Sequence, residues 1–150
     1  MHGLGLLTLR LTIAVVFVAH GLPKLVPVWG GSPADTATLL EAAGVAAAYP
    51  VAVGTGLVEV LAGGLLTAGA YTLLAASLLT ATTAAMSWML HLSNGFFLNW
   101  SLESGVGHGY EFDLIRIAVL VCVILAGPGT FAYDTRRTRA KGPNGKRKQA

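Results

Sequence analysis

Apolar residues gather into four long stretches along the chain, separated by polar, proline- and glycine-containing intervals. The first runs from about Leu4 to Leu22 and is broken by Arg10 and His20; the second runs from about Val51 to Ala70, with Glu59 its only charge. The third, Leu73 to Leu90, holds no charged residue. The fourth, from about Tyr110 to Ala126, carries Glu111, Asp113 and Arg116 in its first two turns. A helix needs roughly 20 apolar residues to cross a bilayer, and each stretch approaches that length. The pattern predicts an all-α fold, an integral membrane four-helix bundle occupying residues 1–134.

The intervals differ in character. Pro23 to Pro50 is a long loop whose Ala-rich part, Asp35 to Ala48, is expected to form a short helix at the membrane interface. Ala70 to Thr72 is a tight turn. Ser93 to Gly109 is rich in glycine, and Phe96, Phe97 and Trp100 suit an interfacial aromatic belt. The first stretch lacks a preceding basic residue and a clean small-x-small cleavage site, so it reads as an uncleaved helix rather than a signal peptide.

Composition strengthens this picture. The chain is 54% hydrophobic and only 11% charged, whereas a soluble domain carries roughly 25% charged residues. Too few charges remain to clothe a water-soluble surface, so the lipid bilayer is the first expected partner. The lone Cys122 excludes an internal disulfide or a CxxC redox pair and is expected to act as a small packing residue. Seven of the ten basic residues fall at the end of the chain: Arg136, Arg137, Arg139, Lys141, Lys146, Arg147 and Lys148. No aromatic residue interleaves with them, so no nucleic acid partner is expected. Residues 135–150 read as a basic, disordered cytoplasmic tail near anionic lipid. The bias of basic residues towards that side puts both termini in the cytoplasm, with the bundle in the plasma membrane.

Charged side chains at mid-bilayer cost about 2.5–3.5 kcal/mol each even on an insertion scale, so those within the stretches need partners or a task. At ~1.5 Å per residue, Glu59 falls between Arg10 and Arg116 in depth. That placement predicts a structural ion network of Arg10, Glu59 and Arg116, with Glu59 paired to one arginine or the other. Ala52, Gly56, Glu59 and Gly63 share one helical stripe, and Ser77, Thr80, Ala84, Ser87 and His91 share another. His20 and Lys24 lie one turn apart, as do Asp113 and Arg116. His20, Lys24, Glu59, His91 and Asp113 are therefore expected to face one outward-opening cavity as ligand-binding or proton-relay groups. Each also has a plainer reading: an ion network that only holds helices, ordinary interface histidines, and, for Glu111 and Asp113, caps of the fourth helix. His20, His91 and His108 are metal-ligand types, but they lack a spacing signature, so no metal site is expected. No residue is assigned as catalytic.

His20-Gly21-x-x-Lys24-Leu25 at the end of the first stretch resembles the HGxxKL signature of the DoxX family of small bacterial membrane proteins. The likeness continues with Glu59 ahead of Gly63-Gly64, with His91-x-x-Asn94-Gly95-Phe96-Phe97, and with Gly109-Tyr110-Glu111. It ends with Gly127-Pro128-Gly129 and Asp134, so it runs from about Leu6 to Asp134. The resemblance implies a four-helix membrane domain linked to redox physiology, since relatives include a subunit of a thiosulfate:quinone oxidoreductase. It thus implies a membrane subunit of an oxidoreductase system that binds a quinone or similar small molecule. The chain has no cysteine pair, haem motif or flavin fingerprint, so the electron source would be a redox partner protein. The alternative is a small-solute permease or membrane scaffold protein, whose buried charges serve solute binding or assembly.

Overall fold

The computed structural model describes residues 2–140, and its regular elements are helices throughout. They are α1 (His2–Gly21), α2 (Pro33–Ala42), α3 (Ala48–Ala68), α4 (Thr72–Met86), α5 (Glu111–Ala126) and α6 (Tyr133–Ala140). A 3-10 turn, Leu22–Lys24, prolongs α1; a π-turn, Ser87–His91, and a 3-10 turn, Leu92–Asn94, prolong α4. Three spans are long and apolar enough to cross a membrane: Gly3–Lys24, Ala48–Ala68 and Thr72–Asn94. The fourth bundle helix, α5, has 16 residues and so extends ~24 Å, short of the ~30 Å hydrocarbon core. It packs on α4 and α1 beside the longer three. The chain is an all-helical, multi-pass membrane protein.

The bundle interior is built from Phe17 of α1, Leu66 of α3, Leu79 of α4 and Leu120 of α5, each fully buried. Leu57, Leu61, Leu74 and Leu125 point outward and are exposed, the arrangement expected where the surrounding medium is lipid rather than water. Cys122 stands on this outer face. It is not the interior packing residue expected from its apolar neighbours, because it falls off the buried line of α5, which runs through Asp113, Arg116, Leu120 and Val123.

Glycine sets how closely α1 and α3 approach. A Cβ on Gly56 would lie 2.6 Å from the Lys24 Cβ, and one on Gly63 would lie 2.9 Å from Cγ2 of Val18. The Ala52-Gly56-Glu59-Gly63 stripe is accordingly buried along its length. The stripe expected on the third stretch is not: Ser77 and Ala84 are exposed, and the buried face of α4 runs through Ala75, Ala76, Leu79, Thr83 and Met86. His91 nonetheless reaches the interior. The π-turn from Ser87 to His91 winds more slowly than an α-helix, which rotates His91 back towards the face of Thr83 and Met86.

The Ala-rich loop segment forms α2, which starts at Pro33 and ends at Ala42 rather than running from Asp35 to Ala48. Its start is set by a capping box, with the Asp35 N–H donating to Ser32 Oγ (3.3 Å) and the Ser32 N–H donating to Asp35 Oδ2 (2.7 Å). Ala37 and Leu40 then pack on Ala48, Ala52 and Met86, so α2 is folded against the bundle rather than lying free on it.

At the opposite end the chain closes on itself. The carboxylate of Asp134 accepts the N–H groups of Tyr71 (3.0 Å) and Thr72 (2.8 Å) at the start of α4, while its own N–H donates to the Gly69 carbonyl (3.0 Å). Gly69 itself sits at φ +66°, where a side chain would be strained. This anchoring lets Tyr133–Ala140 form α6, so the disorder expected from residue 135 is corrected as far as residue 140. Lys141, Lys146, Arg147 and Lys148 lie outside the described residues.

Burial alone would push the Asp134 carboxyl up, but the N–H donors of Thr72 and Tyr71 outweigh it and hold the group below the ordinary carboxylate range. A depressed folded pKa means the contribution is present above the unfolded value and lost as pH falls through the folded one. Asp134→Ala is expected to cost about 1 kcal/mol, as other N-cap losses do. Thermal melts of wild type and variant should stay apart at neutral pH and converge only below the ordinary Asp pKa of ~3.9. A constant gap down to acid pH would contradict this role.

Candidate functional site

The ends of α1, α4 and α5 nearest the long loops surround a cavity of about 460 Å³. His20 and Lys24 enter it from the end of α1, Glu59 from α3, Thr83, Met86 and His91 from α4 and its π-turn, and Phe112, Asp113 and Arg116 from α5. Thr36 and Leu39 of α2 line it from one side, with Leu98 and His108 of the α4–α5 segment at another. The five residues singled out as ligand-binding or proton-relay groups, His20, Lys24, Glu59, His91 and Asp113, thus border one space.

Their pairing differs from the expected network. Glu59, only 3% exposed, receives the Lys24 ammonium on both oxygens at 2.6 Å. Neither Arg10 nor Arg116 is its partner. Arg10 is buried at the far end, where its Nη1 donates to the Pro128 carbonyl. Arg116 donates through Nη2 to Asp113 Oδ1. The physical cause is the glycine contact: with Gly21 against Gly56, the 3-10 turn carries the Lys24 stem along α3, and its flexible four-carbon chain reaches down to Glu59. Counting depth along straight helices misses such a reach. The opposed glycines of α1 and α3 were the sequence signal for it.

Asp113 holds the other half of the site. Its second oxygen, Oδ2, lies 2.5 Å from His91 Nδ1. An ionised carboxylate can only accept, so Nδ1 carries the proton and a neutral His91 keeps Nε2 as an acceptor. The guanidinium of Arg116 lies over the rings of Phe17 (5.5 Å) and Phe112 (5.0 Å), and Phe112 also meets the His20 ring at 5.8 Å between centroids. Asp113 is therefore occupied by side chains rather than by capping α5. Glu111 accepts the Leu98 N–H (3.2 Å) and so fastens the loop to the helix.

That loop is tied down by its backbone. The N–H groups of Gly109, Tyr110 and Glu111 donate to the carbonyls of Phe97 (3.0 Å), Gly95 (3.2 Å) and Phe96 (2.9 Å). Asn94 Nδ2 adds a bond to the His108 carbonyl at 3.0 Å. His108 accepts the Asn99 N–H on Nδ1 (3.2 Å), and among the described residues no group of three or more His, Cys, Asp or Glu side chains gathers as a metal set. Residues that the sequence pattern did not single out also shape the cavity: Thr36 and Leu39 because α2 folds back onto the bundle, and Phe112 from the first turn of α5.

The charges of this site cancel in pairs, Lys24 against Glu59 and Arg116 against Asp113. The cavity therefore presents hydrogen-bonding groups on apolar walls, with each of these carboxylates matched by a cation. Such a space suits an uncharged molecule with a polar edge.

No curated protein and no solved structure matches the chain. The DoxX family model matches residues 5–92, from α1 through the π-turn, and so takes in His20, Lys24, Glu59 and His91 but stops before Asp113 and Arg116. Since that match covers more than half of its length, the chain belongs to the DoxX family.

Proposed function

We propose that this protein is a membrane subunit of an oxidoreductase system and that the loop-end cavity receives a quinone or a similar neutral small molecule. The observation that carries the reading is the His91–Asp113–Arg116 chain set in the wall of a charge-balanced, largely apolar cavity. Arg116 and Lys24 can donate to a carbonyl oxygen. His91 Nε2 can take the proton of a hydroxyl as electrons leave the ligand, while Asp113 fixes the tautomer and balances the imidazolium. With a single cysteine and no redox motif of its own, the chain would exchange those electrons through a partner protein. A permease would need a path past Phe17, Leu66, Leu79 and Leu120, which have no exposed surface, and that reading has the weaker support.

Titration of the purified protein with a water-soluble quinone tests the proposal. Saturable binding is expected, weakened about tenfold in His91→Ala, the equivalent of about 1.4 kcal/mol. The side chain of His91 is 31% exposed, so the variant should melt close to wild type. Unchanged affinity in His91→Ala would remove this residue from the site. An absence of saturable binding to wild type would leave the scaffold reading instead. The same reading puts the bundle in the plasma membrane with both termini cytoplasmic. A cysteine at the exposed Ser104, in a Cys122→Ser background, should react with an impermeant thiol reagent added to intact cells; its protection would reverse the orientation.

A further inference from the structure

A second cavity, about 220 Å³, adjoins the first along the outside of the bundle. It is the seam between α1 and α5, where Thr12 and Val16 face Ile115 and Val119. Glycine draws α1 tightly onto α3, but α1 meets α5 through fewer contacts, and the seam stays open. Thr12 and Ile115 are exposed on what is the lipid-facing surface of the bundle, so the groove opens sideways into the bilayer.

Phe112 and Arg116 line both spaces. On one side of Arg116 lies the polar cavity with Asp113 and His91; on the other lies a groove walled by aliphatic side chains and threonines. Arg116 Nε is buried at this junction with no acceptor among the described residues. An unpaired buried donor is costly, which marks this junction as strained in polarity between the two spaces. The groove follows α1 from Val16 to Thr8, a length of ~12 Å, too apolar for a polar solute and of the right character for a hydrocarbon chain.

We infer that the natural ligand carries a long apolar tail, such as an isoprenoid chain, which lies in the α1–α5 seam while its polar head occupies the loop-end cavity. This rests on the quinone-class reading of that cavity. The ligand reaches the site sideways from the membrane. In the bilayer the tail is already in an apolar medium, so the seam selects tailed ligands by shape and access rather than by added hydrophobic affinity.

The test compares menaquinone-4, which has a tail, with the tail-less 2,3-dimethyl-1,4-naphthoquinone, both titrated into the full chain in one detergent. Thr12→Trp and, from the other wall, Ile115→Trp fill the seam at exposed positions where folding should tolerate them. Each is expected to weaken menaquinone-4 about tenfold, in keeping with the usual cost of overpacking, and to leave the tail-less compound within about twofold of wild type. If wild type binds both compounds and neither variant separates them, the tail does not lie in the seam and the cavity reading stands alone. If wild type binds neither compound, the cavity reading fails and this inference falls with it.

Discussion

Asp113→Asn is expected to give the largest loss of stability of any single substitution in the site. The change keeps the size of the side chain and removes its charge, and Asp113 serves two partners at once. Arg116, 8% exposed, would be left as a buried cation without a counter-ion, and the single amide oxygen could accept from only one of His91 and Arg116, facing the other with an NH2 group. Removing one partner of a buried ion pair typically costs about 3–5 kcal/mol in soluble proteins. Water in the cavity will reduce that figure, so the lower end of the range is the expected value. Thermal unfolding in detergent measures it. Asp113→Asn, Arg116→Gln should recover part of the loss, because no charge is then stranded. A single variant that melts with wild type would mean that Asp113 does not carry the Arg116 charge.

The second large effect concerns Glu59. Glu59→Gln and Lys24→Met should each destabilise the bundle, and the double variant should lose less than their sum, by about 0.5–3 kcal/mol, as coupled contacting pairs do. Glu59→Gln combined with Arg10→Gln should instead add, since Arg10 donates to the Pro128 carbonyl at the other end of the bundle. Additivity with Lys24 and coupling with Arg10 would restore the originally expected network. The Lys24 side chain is 15% exposed against 4% for Glu59, so Lys24→Met should be the milder single change.

The membrane character, the course of the four stretches and the glycine face of α3 were legible in the sequence, because apolar runs and helical stripes report burial directly. The convergence of His20, Lys24, Glu59, His91 and Asp113 on one cavity was legible too, from the depth of His20, His91 and Asp113 near one face and from the small-residue stripe that turns Glu59 inward. Their pairing was not. Depth counted along straight helices puts Glu59 between the two arginines, but a close glycine contact and a long lysine stem decide its partner. The face of α4 was misread for a related reason. A regular 3.6-residue period carries Ser77 and Ala84 onto the same line as His91, whereas the π-turn breaks that period just before the histidine. Asp134 shows a third limit: its bonds to Tyr71 and Thr72 join segments about sixty residues apart, as the 62- and 63-residue separations show, and no local pattern announces them.

The central claim is that the paired charges of Lys24–Glu59 and Asp113–Arg116, with His91, wall a cavity that holds a neutral membrane-soluble ligand. Mass spectrometry of the intact protein, extracted from native membranes in a mild detergent, tests it most directly. Wild type should carry a quinone-class molecule at near one per chain, as expected for a single preformed pocket, and His91→Ala should carry markedly less while remaining folded. Wild-type protein that emerges with no such molecule, or His91→Ala that retains it undiminished, would contradict the account.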